Sequence, residues 1–465
     1  MTYPRADPAA TPALRRRLGL FDVLCIGVNA IVGSGVFALP DDMHRAMGGW
    51  SPLAYLLCAA LLLPVALCFA ELAGRTDETG GPYLYAQRAF GDRVGYLVGW
   101  FCWTTAFVSW AANTTLFVEL LGVHGAAGKA LCAGLILALG AVNYVGVKPG
   151  AWVVNLVVIG KLAAIFCFLG VALFYEGASE GAAGGALDPG RLGGALPHGV
   201  AGVGQGVYLA LFPLQGFEVI PVPAGEVKDP RRTIPLATVG ALLFSALLFI
   251  AVQAALVATY PGLGEDSQTT LADAARSLGP RIGLLVLVGS MISIGGFNAG
   301  SALGSPRYAQ AIAAHGLLPA PLAHVHARWH TPSVAIALTT LFTVMLAILF
   351  DYRRLVGMAN LIIVVQYVCT CLAVPALRRR RRAGARARAA VAEREHEHEH
   401  EHEHEREHEP RSWTIPGGPI IPYLGAAGSA ALLAGAEAAE LAFAAVALAL
   451  GLVVAWLTAR RPAGT

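Results

Sequence analysis

Gly27-Val-Asn-Ala-Ile-Val-Gly-Ser-Gly35-Val-Phe-Ala-Leu-Pro40 reads as an apolar membrane helix interrupted in its middle. Inside a bilayer every backbone N–H and C=O must be satisfied within the segment. An interruption at mid-depth therefore survives only where the freed groups face protein, a water-filled cavity or a ligand. Gly33-Ser34-Gly35 is such an interruption, with Pro40 shortly after it. A second stretch, Gly206-Val-Tyr-Leu-Ala-Leu-Phe-Pro-Leu-Gln-Gly216-Phe-Glu218, is broken by Pro213 and Gly216. The two lie at matching places in the two halves of the chain, and paired breaks of this kind mark where small ligands bind at mid-membrane.

The surrounding composition agrees. The chain has 465 residues, 56% of them hydrophobic and only 14% charged, with mean hydropathy +0.60. A soluble protein of this size needs a more charged surface. An apolar span takes about 20 residues to cross the hydrocarbon. Twelve such stretches are expected, at 20–44, 50–74, 92–121, 127–147, 151–175, 200–226, 233–260, 281–311, 333–350, 355–377, 419–436 and 439–459. The last two are short and close together, which leaves a re-entrant hairpin open. The expected fold class is an all-α polytopic membrane protein of twelve transmembrane helices.

Twelve spans put both termini on one side, with 25 of the 33 Lys and Arg residues. Seven lie on the other side, and Lys161 is the only one far inside a span. The positive-inside bias makes the first side cytoplasmic. Residues 1–19 form a cytoplasmic tail without the apolar core of a cleaved signal peptide. All eight cysteines fall in apolar spans and read as small buried hydrophobes.

Residues 20–175 and 200–377 overlay as two sets of five spans, each opening with a broken helix. An odd number of spans per set forces opposite orientations, giving a 5+5 inverted repeat. Residues 378–412, rich in Arg and then in alternating Glu and His, are expected to be a disordered cytoplasmic loop. Six of the thirteen histidines fall there, so a Zn²⁺- or Ni²⁺-chelating tract is an alternative to a solvated linker. Residues 413–459 hold two additional helices, and 460–465 a cytoplasmic tail.

An unwound Gly33-Ser34-Gly35 leaves the next half-helix with free N–H groups and the positive end of its dipole, a site for a carboxylate. A packing notch against a neighbouring helix is the alternative. In the sixth span Pro213 removes a donor and Gly216 permits a bend. Carbonyls around Leu209 to Phe212 then lose their partners and can accept from an ammonium. Together the breaks suit a zwitterion. Lys161 lies ten residues into the fifth span, about 15 Å along a helix, too deep for snorkelling. It can carry a proton within a cycle, or tether span five to span-one carbonyls. Glu218 is a buried carboxylate that must be paired, protonated or facing water. Glu71 and Glu226 read as anchors near span ends, and Asn29, Asn113, Asn155, Asn298 and Asn360 as interhelical glue.

Several stretches give the chain a resemblance to a known superfamily. They are Gly33 to Pro40, Glu71-Leu-Ala with Thr79-Gly-Gly-Pro-Tyr-Leu-Tyr85, Gly91 to Trp100, and Gly216-Phe-Glu218 with Ala224 to Pro235. Ser305-Pro-Arg, His315-Gly-Leu-Leu-Pro319 and Thr331-Pro332 complete the set. Over residues 20 to about 377 the chain resembles the amino acid–polyamine–organocation (APC) superfamily of permeases. That resemblance implies a LeuT-like fold and substrate contacts at Ile31, Gly33, Ser34, Gly35, Leu209, Phe212, Gly216 and Phe297. Phe212 matches an aromatic lid, Glu218 an inner-gate acid, and Lys161 a lysine that replaces a bound sodium in proton-coupled relatives. His315 stands where relatives often carry Asp, which puts a salt bridge there in doubt.

The expected function is secondary active transport of amino acids by alternating access in a cell inner membrane. Proton-coupled uptake of neutral or a broad range of amino acids is preferred; a cationic amino acid/polyamine antiporter with Glu218 sensing pH is the alternative. No cofactor beyond the coupling proton is expected. Neither is nucleic acid, and the assembly is a monomer or homodimer in lipid. An enzyme is not expected, because no metal-ligand set, nucleophile–base pair or soluble catalytic domain is apparent.

Overall fold

In the computed structural model of the protein, the residues described are 18–74, 81–146, 151–174, 188–221, 227–265, 270–396, 414–415 and 418–459. The Glu/His repeat from residue 397 onward, Glu226 and Lys148 lie outside them.

The chain is a helical membrane protein. Its helices are α1 (Leu20–Ile31), α2 (Gly35–Ala38), α3 (Pro40–Met47), α4 (Ser51–Ala73), α5 (Pro82–Phe90), α6 (Asp92–Leu120), α7 (Gly125–Val145) and α8 (Ala151–Phe174). There follow α9 (Gly199–Leu214), α10 (Pro230–Thr259), α11 (Leu271–Leu278), α12 (Pro280–Ala314), α13 (Ser333–Leu349), α14 (Tyr352–His396), α15 (Ile420–Leu432) and α16 (Ala438–Ala459). Among the described residues, nine helical stretches are long and apolar enough to cross a membrane, including Leu20–Ala38 and Gly199–Val219, which carry the breaks. Ser333–Leu349 and Ile420–Gly435 are apolar but shorter.

Helix α6 is 29 residues long, about 43 Å at 1.5 Å per residue, yet it falls outside those nine. Its interior carries Thr104, Thr105, Ser109, Asn113, Thr114 and Thr115, all buried. Thr104, Asn113, Thr114 and Thr115 turn their polarity back onto their own helix, while Thr105 accepts from Gln366 of α14 at 3.1 Å. Thr104 donates to the Trp100 carbonyl and Thr114 to Trp110, each at 2.9 Å, and Asn113 donates to Ser109 at 2.8 Å. A helix enclosed by protein need not be apolar on every face. Helix α6 packs against α12, α14, α13 and α7, so it runs through the interior.

Helix α1 packs on α10 and α8, and α9 lies against α3, α4 and α14. The two interrupted helices are thereby held by flanking elements rather than by lipid. Helix α16 is fixed to α6 by side-chain donors: Tyr96 to the Gly451 carbonyl at 2.7 Å and Trp100 to Ala447 at 2.8 Å. Glu71, fully buried, pairs with Arg378 and receives the Ile415 N–H at 2.8 Å, so it anchors α4 to α14 and to the entry of α15. His315 accepts the place of a C-terminal cap on α12, with Nδ1 2.8 Å from the Ala311 carbonyl.

One expectation is corrected. Residues 378–396, read from composition as part of a disordered loop, continue α14 without interruption to His396. Arg, Ala and Glu are among the best helix formers, and a helix already nucleated within the membrane extends through them at no further nucleation cost.

Candidate functional site

The first break is a short non-helical bridge, Val32 to Ser34, between α1 and α2. Val32 still donates to Val28 at 2.8 Å, and Gly33 folds back to give its N–H to Ile31 at 2.8 Å. Beyond the bridge Ala38 donates to Ser34 and Leu39 to Gly35, so the helix restarts there and continues into α3. In an unbroken helix the carbonyls of Asn29 and Val32 would serve the N–H groups of Gly33 and Val36. Here both accept from the Lys161 ammonium, at 3.2 and 2.7 Å. Ser293 of α12 also donates to Val32, at 3.0 Å. Lys161 is fully buried. It reaches the break from α8, which Asn155 also ties to α1 through Asp22 at 3.2 Å.

The carbonyl side of the first break is thus occupied by a cation. Its amide side is not, since Ser34, Gly35 and Val36 have lost the carbonyls four residues back. Gly33, counted from sequence as a carboxylate donor, spends its N–H on Ile31. The open set is shifted one residue along the chain.

The second break lies at Gln215 and Gly216. Helix α9 persists to Leu214, through Pro213, and ends at Gln215 and Gly216 before a single 3-10 turn, Phe217–Val219. Gly216 has φ 120°, a conformation that favours glycine. Pro213 offers no N–H to the Leu209 carbonyl. Leu211 keeps its partner, accepting from Gln215 at 2.9 Å. The Gly216 N–H, which would serve Phe212, goes instead to Glu218 Oε2 at 2.8 Å. Tyr367 of α14 donates to the same oxygen at 3.0 Å, and its ring stacks on Phe217 with centroids 5.3 Å apart. The carbonyls deprived of helical donors therefore include those of Leu209 and Phe212, with Pro213 and Leu214 at the helix end.

The breaks touch. A methyl group on Gly35 would lie 2.5 Å from the Pro213 ring, and one on Gly216 would lie 2.6 Å from the Ala30 carbonyl oxygen. Ile31, Ser34 and Phe212 are buried at this crossing. Tyr352, at the start of α14, donates to Ser34 Oγ at 3.1 Å and meets Phe212 edge-on at 6.2 Å. Phe297 of α12 closes on Gly33: a methyl there would be 3.7 Å from its ring and equally far from Asn113 Oδ1.

All ten residues singled out from sequence surround or support these two breaks. Sequence reasoning missed Tyr352, which it left in a loop before span ten, and also Ser293 and Tyr367. A lone Ser or Tyr in an apolar run carries no signal of what it will face. Asn155 and Asn360 do link helices, the latter by donating to the Tyr208 carbonyl at 2.9 Å. Asn113 does not, for its hydrogen bond stays within α6. Among the described residues no group of three or more His, Cys, Asp or Glu is placed to hold a metal.

Comparison with known proteins gives the chain a family. Residues 18–436 match the amino acid permease family. An uncharacterized transporter of Mycobacterium tuberculosis (strain H37Rv) is 31% identical over 366 residues, covering 78% of this chain and 80% of that one. Human cationic amino acid transporter 4 is 28% identical over 81% of this chain and 62% of its own length. The branched-chain amino acid permease of Bacillus subtilis is 23% identical, over 80% and 83%.

Proposed function

The chain belongs to the amino acid permease family, and we propose that it is a proton-coupled importer of neutral amino acids, working by alternating access. Amino acid transport follows from the family. The coupling, the neutral substrate range, the inner-membrane location and the cytoplasmic termini are the proposal. The LeuT-like inverted repeat of 20–175 and 200–377 belongs to it as well.

One observation carries the reading: a buried lysine occupies the carbonyls of the first break and leaves its amides open. A substrate carboxylate fits the Ser34, Gly35 and Val36 N–H groups, and an α-ammonium fits the Leu209 and Phe212 carbonyls. Phe212 and Tyr352 stand over that position as a lid. The hydrogen bonds of Lys161 run to neutral carbonyls, so its hold on α1 has a charge–dipole component that deprotonation removes. That links a proton to the geometry of the carboxylate site. The named substrates of the human and Bacillus relatives differ, cationic against branched-chain, and so do not decide this chain's range. Among the described residues, the polar groups facing the breaks are neutral apart from Lys161 and Glu218, and both of those are engaged with backbone, which favours a neutral substrate.

Exchange governed by Glu218 is the competing mechanism. Uptake of labelled amino acids into proteoliposomes, with and without an imposed pH gradient, separates the two. Gradient-driven accumulation without internal substrate supports symport. Uptake indifferent to the gradient but dependent on internal substrate establishes exchange. Absence of transport of any amino acid or amine removes the transporter reading.

A further inference from the structure

Asn113 lies in the C-terminal third of α6 and is 1% exposed. Its Nδ2 donates to the Ser109 carbonyl at 2.8 Å. That bond orients the amide, because the flipped form would set two acceptors against each other. Oδ1 consequently points away, and it has no hydrogen-bond partner. It faces the first break: the space beyond the Gly33 Cα is bounded by this oxygen and by the Phe297 ring, each 3.7 Å from where a β-carbon would stand. Asn143 and Asn360 donate across to a neighbouring helix, at 2.6 and 2.9 Å, whereas the Asn113 amide bonds only within α6 and turns its free oxygen to the first break. A buried acceptor left without a donor is unfavourable by about 1–3 kcal/mol, and in a binding site the donor arrives with the ligand.

We propose that Asn113 Oδ1 reads the substrate side chain, and that the site selects amino acids with a short hydrogen-bond-donating side chain, of the serine and threonine hydroxyl class. The inference rests on the transporter reading above. The argument is one of allocation. A carboxylate cannot use an acceptor, and its donors are the amides of the first break. The α-ammonium is provided for by the carbonyls of Leu209 and Phe212. What remains opposite Oδ1 is the side chain. The amide oxygen is neutral and gives no charge-based preference for a cation. The Phe297 ring, at the same distance from Gly33, limits length and offers an apolar wall for a γ-methyl group.

Threonine and valine make the test, since they have nearly the same shape and differ by a hydroxyl for a methyl. The purified full-length protein in proteoliposomes should transport threonine roughly tenfold more efficiently than valine, the value of one buried hydrogen bond. Serine should exceed alanine similarly. Asn113→Leu should bring both ratios close to one. Asn113→Asp, nearly isosteric and so less prone to misfold, should instead raise uptake of lysine and ornithine relative to threonine. Equal transport of threonine and valine by the unmodified protein overturns the inference while leaving amino acid transport standing. A preference for lysine or arginine over every neutral substrate overturns it in the same way. Transport of no amino acid at all would remove the transporter reading and this inference together.

Discussion

The two breaks are built as opposites. At the first, a cation from another helix, Lys161, takes up freed carbonyls and leaves N–H groups open. At the second, an anion two residues along the same chain, Glu218, takes up a freed N–H and leaves carbonyls open. Each is half-satisfied by a charge opposite in sign to the substrate group proposed to bind there. The remaining polarity, amides at one break and carbonyls at the other, is the complement of a zwitterion. A pair of breaks that were merely packing defects would have no reason to be complementary. The difference in source is also informative. Glu218 serves its own backbone locally, whereas Lys161 joins α8 to α1 and so connects two helices.

Removing the cation breaks the comparison most severely. Lys161→Ala leaves the Asn29 carbonyl without its donor and Val32 with Ser293 alone. It also detaches α8 from the break, where Asn155–Asp22 is the tie that remains. We expect gradient-driven accumulation to be abolished, a loss of about 100-fold or more, as for removal of a buried charged hydrogen-bonding group. Lys161→Arg retains the charge but not the compact ammonium, and should restore little. The measurement is initial uptake into proteoliposomes under an inward proton gradient; full gradient-driven uptake by the alanine variant would refute the coupling role.

The crossing of the breaks comes next. Gly216→Ala forces a β-carbon onto a backbone with φ 120° and to within 2.6 Å of the Ala30 carbonyl oxygen. Strain of this kind is worth on the order of 1–3 kcal/mol before the clash is added. Transport rate should fall by roughly 10- to 100-fold, with Gly35→Ala, against the Pro213 ring, giving a similar but smaller loss. A protein that extracts and purifies normally yet transports at an unaltered rate would show that the breaks need not touch.

How far this was readable from sequence differs between the two breaks. Gly33, Gly35 and Pro40 lie close together in an apolar run, and the interruption falls where those residues stand. At the second, Pro213 and Gly216 compete to end the helix. Proline removes one hydrogen bond, that of Leu209, and α9 absorbs the loss and continues to Leu214. The terminator is Gly216, because its positive φ redirects the chain. Proline alone could not reveal which of the two decides. Asn113 and Tyr352 escaped for a different reason. The partner of a polar side chain is settled by tertiary packing, and no local pattern records it. Composition misled at residues 378–396, where charge suggested disorder and helix propensity prevailed.

The smallest expected effects sharpen the anionic half of the comparison. Glu218→Gln keeps an oxygen that can accept from Gly216 and Tyr367, so the bend is preserved while the charge is lost. If coupling runs through Lys161, gradient-driven uptake should fall by no more than about fivefold, the equivalent of one hydrogen bond weakened from charged to neutral. If exchange governed by Glu218 is the mechanism, the dependence of transport on pH should flatten in this variant. Tyr367→Phe removes a single donor to the same carboxylate and retains the ring that stacks on Phe217. Its expected cost is about 1 kcal/mol, a few-fold change in rate. The two variants should not be additive, since both act on one oxygen. A double variant no slower than Glu218→Gln alone would show that Tyr367 acts through the carboxylate, as the 3.0 Å hydrogen bond implies. Independent, multiplying losses would instead assign Tyr367 to the packing of Phe217 and leave Glu218 held by the break's own backbone.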